Sequence, residues 1–255
     1  MSVKLTFLGT GTSQGVPLIG CTCVVCKSED PRDQRLRTSI MLENNGKVVV
    51  VDTGPDFRQQ MLRESVCRLD AVIFTHAHKD HIAGLDDVRP FNHRQQSATQ
   101  IYATIEVQKA IRREFYYCFD EHRYPGAPDL ALNTIRTETF EAAGIQFIPL
   151  PVMHMNLPVL GFRVGNIAYI TDANFIPEET FSRIGRPDVL VLNALRHTPH
   201  PSHFNLTEAL EVVRRIKPKR TFFTHISHQL GLHHEISAQL PPTVHLAYDG
   251  LAFSL

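Results

Sequence analysis

Short runs of β-branched and apolar residues recur from one end of the chain to the other. Glycine, proline, asparagine or aspartate bounds each run, and these residues commonly end strands and begin turns. Runs of this kind are typical of β-strands. The pattern therefore predicts strands that include Val3–Leu8, Thr38–Leu42, Val48–Val51, Ala71–Phe74, Ile145–Leu150, Phe162–Val164, Ile167–Ile170, Val189–Leu192, Thr221–Phe223 and Val244–Ala247.

Helical patterns are fewer. Glu106–Tyr117 and Pro177–Ile184 are amphipathic, and the second opens with a proline followed by two glutamates. The sequence Asn205-Leu-Thr-Glu208 is typical of a helix N-cap and predicts a third helix that ends before Pro218. The apolar positions of this third helix fall on one face, and they are Leu206, Ala209, Leu210, Val213 and Ile216.

The order of these elements indicates the fold class. Strands come first with few helices between them, and both halves of the chain end in strand–loop–helix units. This order favours an α/β (α+β) protein with a four-layer αββα sandwich over a doubly wound parallel sheet. Without an internal repeat or a low-complexity linker, residues 1–255 are expected to form one domain. Asn92–Ile135 is the least regular stretch, and we expect it to form an insertion or a lid.

Composition narrows the range of partners. The chain has 255 residues, 43% of them hydrophobic, and its 26 acidic and 26 basic side chains balance to zero. Binding to duplex DNA needs a cationic surface, so DNA is not an expected partner, although a local basic pocket for a small anion fits this balance. No apolar run reaches about 18 residues, and the first apolar run is too short for a signal peptide. A cytoplasmic protein without a membrane span is the expectation.

The histidines point to metal chemistry. The chain has 14 histidines but six tyrosines and no tryptophan. The motif His76-Ala-His78-Lys-Asp80-His81 directly follows a predicted strand, and it offers four metal ligands within six positions. His76 and His78 can converge from an extended turn, whereas the adjacent Asp80 and His81 must point in different directions. This arrangement predicts two neighbouring metal ions, with His76 and His78 on the first and Asp80 and His81 on the second.

Further ligands should come from the ends of later strands. His154, Asp172 and His225 each follow a predicted strand, as the first motif does. Asp172 suits a bridging position, because a carboxylate can give one oxygen to each ion. A single loop histidine is usually only solvated, but the joint pattern favours ligation.

These residues resemble the ligand set of the metallo-β-lactamase superfamily, in its dinuclear phosphodiesterase branch. The resemblance extends over essentially the whole chain and implies the αββα fold, a hydroxide held between the ions, and Asp172 as the bridging ligand. Asp52, in Val51-Asp52-Thr-Gly54, matches an aspartate that the superfamily places behind the site. The alternative for Asp52 is an ordinary turn aspartate.

A cysteine cluster predicts a third metal. Gly20-Cys21-Thr-Cys23-Val-Val-Cys26 places three thiols in one loop, one ligand short of a tetrahedral zinc site. We expect His228 to be the fourth ligand of this structural zinc, since its neighbour His225 belongs to the other site. Cys67 and Cys118 have no partners by spacing, and we expect them to be buried.

A narrower resemblance follows from three segments. Leu8-Gly-Thr-Gly-Thr-Ser-Gln14-Gly-Val-Pro17, the cysteine cluster and Thr224-His-Ile-Ser-His228-Gln resemble the PhnP-type phosphodiesterases of phosphonate catabolism. That resemblance implies a structural zinc and a dinuclear site that opens cyclic phosphates of ribose. PqqB-like proteins share the cysteine pattern, but they do not generally keep the full dinuclear ligand set.

The PhnP-type resemblance also assigns catalytic residues. It implies that His203, which precedes the predicted Asn205 helix, is the general acid. We expect Asp80 to be a second catalytic residue. The roles of Arg196, His197 and His200 stay open between positive charge at the pocket rim and a solvated loop. The glycine-rich segment Gly9–Gly15 lacks a Walker lysine and is not expected to bind nucleotide as a P-loop does.

The leading hypothesis is therefore a metal-dependent phosphodiesterase that hydrolyses small cyclic or nucleotide-like phosphodiesters, such as ribose 1,2-cyclic phosphate. The alternatives are a tRNA 3′-processing endonuclease, a thioester or β-lactam hydrolase, and a PqqB-like accessory protein without catalysis. Zinc or manganese would suit the two active-site positions. Self-association is left open, with a homodimer as one option.

Overall fold

The computed structural model describes residues 3–255. The strands are β1 (Lys4–Gly9), β2 (Ser39–Asn44), β3 (Lys47–Val51), β4 (Ala71–Ile73), β5 (Thr99–Ala103), β6 (Leu130–Thr134), β7 (Phe140–Ala142), β8 (Ile145–His154), β9 (Leu157–Val164), β10 (Ile167–Ile170), β11 (Val189–Asn193), β12 (Arg220–Thr224), β13 (Val244–Leu246) and β14 (Ala252–Ser254). The α-helices are α1 (Phe57–Arg63), α2 (Lys79–Ile82), α3 (Arg89–Gln95), α4 (Ile105–Glu114), α5 (Glu178–Ile184), α6 (Leu206–Ile216) and α7 (His233–Gln239). None of the helices in this range is both long and apolar enough to cross a membrane.

The strands form two sheets with similar layouts. The first has the order β14-β1-β2-β3-β4-β5-β6, and the second has the order β13-β12-β11-β10-β9-β8-β7. Strands β3 to β6 pair in parallel in the first sheet, and strands β10 to β13 pair in parallel in the second. The remaining pairs are antiparallel. Parallel pairing brings the carboxyl ends of neighbouring strands to one edge, where side chains from several loops can meet.

Three apolar cores define the layers. One lies between the sheets and joins Phe7 and Val51 of the first to Phe162 and Val191 of the second. Another packs the outer face of the first sheet against helices α1 to α4. The third packs the outer face of the second sheet against helices α5 to α7. Helices therefore cover both outer faces, and the predicted four-layer αββα sandwich is confirmed.

Local sequence explains the best-defined helix. The side chain of Asn205 accepts from the backbone N–H of Glu208, and the Glu208 side chain accepts from the N–H of Asn205. This reciprocal capping box satisfies two backbone donors that a helix start otherwise leaves free. Lys217 has a left-handed conformation just before Pro218 and ends the helix. The predicted start and end are both confirmed.

Two predictions are wrong. Asn92–Ile135 is neither an insertion nor a lid, because it contributes β5, α4 and β6, and both strands pair in parallel within the first sheet. Polar residues within β5 and β6 interrupt the apolar runs by which the other strands were predicted. Cys118 is buried as expected, but Cys67 is exposed.

Candidate metal centres

His76 and His78 lie in the loop that follows β4. Nε2 of His76 is 3.0 Å from Nδ1 of His78. Two nitrogens that bind one tetrahedral zinc ion at 2.0–2.1 Å lie about 3.3 Å apart, close to the separation of these two atoms. Nδ1 of the buried His76 is 3.0 Å from the hydroxyl oxygen of Thr75, which leaves Nε2 for the contact with His78. The two residues of the first predicted ligand pair therefore converge.

His81 lies in α2 and is surrounded by carboxylates. Its Nδ1 lies 2.8 Å from Oδ2 of Asp52, while its Nε2 lies 3.1 Å from Oδ2 of Asp80 and 3.3 Å from Oδ2 of Asp172. Asp52 is fully buried and also accepts from the backbone N–H and the hydroxyl of Thr75. Asp52 thus stands behind His81, on the side away from Asp80 and Asp172.

Asp172 lies where the two sheets bring their loops together. Its Oδ1 is 2.9 Å from Nε2 of His225 and 3.9 Å from Nδ1 of His203. Its Oδ2 accepts from the hydroxyl of Thr171 at 2.6 Å. The β10 and β12 strand ends supply Asp172 and His225, as the sequence predicted. His154 differs slightly, because it is the last residue of β8 and not a residue of the following loop.

The donor atoms form two groups that share Asp172. Donor atoms of Asp80, His81, Asp172 and His225 all lie within 4.8 Å of one another, and so do those of His154, Asp172 and His203. Nε2 of His81 and Nε2 of His225 are buried yet make no hydrogen bond of acceptable angle within residues 3–255. Buried nitrogens are rarely left without a partner, so this donor set fits a cation.

His154 lies near both the His76–His78 pair and His203. The ring centroid of His154 lies 5.8 Å from that of His76 and 5.1 Å from that of His78. His154 lies closer to His203, at 4.6 Å between centroids. Nδ1 of His154 is 2.9 Å from the carbonyl oxygen of Ser202, which leaves Nε2 free for a ligand. His154 therefore faces both the His76–His78 pair and His203.

The electrostatics of the site also favour a cation. Burial lowers the pKa of His81, but the negative charges of Asp172, Asp52 and Asp80 outweigh it and hold this pKa well above its usual value. Burial raises the pKa of Asp172, but His225 and His81 outweigh it and hold this pKa well below its usual value. The same field that retains a proton on His81 would favour a divalent ion in its place.

The cysteine loop forms a separate centre with His228. Sulfur atoms of Cys21, Cys23 and Cys26 and a ring nitrogen of His228 lie within 4.8 Å of one another. Nδ1 of His228 is 3.5 Å from Sγ of Cys21 and 3.3 Å from Sγ of Cys23. The contact with His228 lowers the pKa of Cys23 to about 6, which favours the thiolate that zinc binds. Three sulfurs and one nitrogen are a donor set typical of structural zinc.

One short segment joins the two centres. His225 and His228 are three residues apart, and Ile226 between them pairs with the glycine-rich loop. The N–H of Ile226 donates to the carbonyl of Thr10, and the N–H of Thr12 donates to the carbonyl of Ile226. The loop that leads into the cysteine cluster is thereby attached to the strand end that carries His225.

The chain matches a known protein family. The profile of the beta-lactamase superfamily domain matches residues 47–226, more than half of the chain. The chain belongs to the beta-lactamase superfamily. The matched range includes the histidine motif after β4, His154, Asp172 and His225.

Within this superfamily the chain belongs to the PhnP family. A crystal structure described as a new diphosphatase from the PhnP family is 43% identical, covers 100% of this chain and 98% of that one, and has a TM-score of 0.94. The predicted PhnP-like relationship is therefore confirmed, and the chain has the fold of the metallo-β-lactamase superfamily of metallo-hydrolases. Zinc-bound PqqB from Methylobacterium extorquens has a TM-score of 0.82 at 20% identity over 99% of this chain and 100% of that one, which shows a shared fold.

A longer relative is also similar. An octanoyltransferase of Porphyromonas gingivalis is 39% identical over 252 residues, which are 98% of this chain but 51% of that protein. The chain thus spans about half the length of this curated relative. That relative's name describes the longer protein.

Some residues that contact the predicted ligands were not predicted from the sequence. Thr75 contacts both Asp52 and His76, and the carbonyl of Ser202 holds His154, yet neither residue belongs to a ligand-type motif. Arg196 fixes its own loop through the carbonyls of Thr198 and Pro199. The sequence offered one indication of the role of Thr75, which is that it lies at the end of a predicted strand and directly before the ligand candidate His76.

His197 and His200 lie in the segment that precedes His203. The ring centroid of His200 lies 5.1 Å from that of His203, so His200 belongs to the margin of the metal site. His197 is exposed.

Proposed function

We propose that this chain is a metal-dependent phosphohydrolase that cleaves small phosphodiesters. The observation that carries the proposal is Asp172, whose carboxylate belongs to both groups of donor atoms. A shared carboxylate is what two adjacent ions need, and pairs of ions about 3.5–4 Å apart are typical of phosphoryl-transfer enzymes.

The proposed ligand assignment combines these donor groups with the contact between His76 and His78 and with the ligand set that the superfamily resemblance implies. His76, His78 and His154 would hold one ion, Asp80, His81 and His225 would hold the other, and Asp172 would serve both. The two ions, when bound, would lower the pKa of water and neutralise charge on the phosphoryl oxygens. Zinc or manganese suits these nitrogen and oxygen donors. Cys21, Cys23, Cys26 and His228 would hold a third, structural zinc.

His203 is the proposed general acid. Its Nδ1 is buried, without a hydrogen-bond partner within residues 3–255, and lies 3.9 Å from Oδ1 of Asp172. Burial and the nearby His225 lower the pKa of His203 to about 2, so the free protein holds this imidazole neutral at pH 7. An anionic phosphate beside the ring would raise this pKa. His203 would then carry a proton to the leaving oxygen only when substrate is bound.

The nature of the phosphorus centre limits the substrate. The PhnP-family relative is described as a diphosphatase. In a diphosphate that carries an organic group on each end, each phosphorus has two substituted and two non-bridging oxygens, as in a phosphodiester. The same site would therefore accept a small phosphodiester, such as a ribose cyclic phosphate, or a disubstituted diphosphate.

The rival functions receive less support. The 26 acidic and 26 basic side chains leave no net positive charge for a long RNA, which weighs against a tRNA 3′-processing endonuclease. A PqqB-like accessory role without catalysis would not require the shared carboxylate of Asp172.

A reducing compartment, such as the cytoplasm, would keep the three clustered thiols available for zinc.

The test is hydrolysis by metal-loaded protein. Bis-p-nitrophenyl phosphate and a dinucleoside diphosphate would be assayed in parallel, with the bound ions counted by elemental analysis. We expect turnover of at least one of them, and loss of turnover in Asp172→Asn. No cleavage of either substrate with both ions bound would contradict the proposal and favour an accessory role. Cleavage of a precursor tRNA alone would favour the endonuclease.

A further inference from the structure

A cavity lies at the carboxyl ends of the strands of the first sheet, where the histidine motif also lies. Its volume is ≈ 510 Å³, within the range of about 300–1,000 Å³ typical of small-molecule sites. Its lining comes from the start of α4, from the segment that follows β6, and from Leu160 of β9. None of these residues belongs to the metal ligands.

The sheet topology places this cavity next to the metal centre. β4, β5 and β6 are neighbouring parallel strands, so the loops that follow them lie side by side. Neighbouring strands are about 5 Å apart, and the cavity therefore begins within about 10 Å of the backbone that carries His76. The N–H of Leu160 donates to the carbonyl of Thr75 at 3.2 Å, which ties the cavity wall to the residue before His76.

The lining combines an apolar surface with hydroxyl groups. Ile135 and Leu160 are buried, whereas Ile105 is 46% exposed and offers an apolar surface at the mouth of the cavity. Thr104 and Thr137 add hydroxyls. Such a surface suits a flat organic group that has polar edges.

The charges on the lining cancel. Arg136 supplies one guanidinium and Glu106 supplies one carboxylate. Neither side chain forms an ion pair within the part of the chain that the structure describes. A site that binds a second phosphate group would be expected to have a lining with net positive charge. The balance favours a neutral group that exchanges hydrogen bonds with both.

We propose that this cavity is a subsite for a neutral nucleoside attached to the phosphate that the metal centre cleaves. This inference rests on the proposed phosphohydrolase function and names the class of substrate. The base would lie against Ile105 and Leu160. Its polar edge or the sugar hydroxyls would contact Thr137, Arg136 and Glu106.

Two substrates and two matched variants test the subsite. Thymidine 5′-(p-nitrophenyl phosphate) carries the nucleoside, whereas methyl p-nitrophenyl phosphate has the same leaving group without it. Ile105→Trp would fill the cavity, and Ile19→Trp makes the same change at a residue that is 96% exposed and lies outside the cysteine cluster. We expect Ile105→Trp to lower kcat/KM at least about tenfold for the thymidine ester and less than about twofold for the methyl ester. Ile19→Trp should change neither.

A binding measurement keeps the test independent of catalysis. The chain has no tryptophan, so Thr137→Trp at the cavity rim would be its single indole reporter. Titration of the metal-loaded variant with thymidine should give saturable quenching that is absent from Ile19→Trp. Equal losses on both esters, or quenching no greater than in the control, would overturn the subsite. Failure of the parent chain to cleave either ester would overturn the proposed function alone, and the titration would still decide the subsite.

Discussion

The carboxylate of Asp52 orients His81. Oδ2 of Asp52 lies 2.8 Å from Nδ1 of His81, and the opposite ring nitrogen of His81 faces Asp80 and Asp172. Thr75 donates from its N–H and its hydroxyl to the same carboxylate, which fixes the carboxylate in turn. A buried carboxylate behind a ligating histidine sets the ring's tautomer and direction, and it strengthens the nitrogen as a ligand.

Removal of Asp52 should therefore weaken metal binding. We expect Asp52→Ala to reduce the affinity of the Asp80–His81 position about 10- to 100-fold, as measured by chelator competition. Asp120→Ala changes an exposed aspartate and should leave the affinity unchanged. Equal affinities in Asp52→Ala and the parent chain would show that this contact is only structural.

Replacement of His203 should affect poor leaving groups most. A general acid matters when the leaving alkoxide needs a proton, and typical contributions are about 10²–10⁴-fold. We expect His203→Ala to slow the hydrolysis of alkyl esters by that order and that of p-nitrophenyl esters much less, since p-nitrophenolate leaves unprotonated. The measurement is kcat for a series of esters with leaving groups of graded pKa. A uniform loss across the series would argue against proton donation.

The cysteine centre should hold its own zinc. We expect Cys23→Ala to lose about one zinc per chain and to unfold at a lower urea concentration, because thiolate–zinc bonds stabilise the loop. Cys67→Ala is the matched control, since Cys67 is exposed and lies outside the cluster. Elemental analysis and urea titration make the comparison. An unchanged zinc content in Cys23→Ala would contradict the assignment.

The pair Arg35–His233 should make stability depend on pH. The Arg35 guanidinium donates to Nδ1 of His233 at 3.1 Å, so this nitrogen must be unprotonated. Burial and the charge of Arg35 lower the pKa of His233 from 6.5 to about 4. Between these values the unfolded chain binds a proton that the folded chain does not. The free energy of unfolding should therefore fall as the pH drops from about 6.5 to about 4, by up to about 3 kcal/mol from this residue.

Urea titrations at about pH 7 and about pH 5 would isolate this contribution. His233→Gln should show a smaller loss of stability on acidification than the parent chain, since glutamine does not titrate. His234→Gln alters the exposed neighbour and should behave like the parent. A parallel pH dependence in His233→Gln would show that other groups account for the acid sensitivity.

The sequence was sufficient for the fold class and the ligand candidates. Buried parallel strands such as β11 are nearly continuous apolar runs, so they stand out without any tertiary information. The ligand candidates stand beside such runs because the loops after parallel strands carry function. The local spacing of Cys21, Cys23 and Cys26 likewise indicated a metal loop that needed a fourth ligand.

Only the tertiary structure decided which side chains meet. β5 and β6 have polar positions, and their membership in the first sheet depends on the pairing of β5 with β4 and of β6 with β5, contacts that no local pattern encodes. Thr75 and the Ser202 carbonyl act on ligands through hydrogen bonds that form only once distant loops are packed together. The position of Asp172 beside Asp80 and His81 depends equally on the approach of the two sheets. Periodicity is a property of neighbouring residues, whereas a shared ligand is a property of the assembled core.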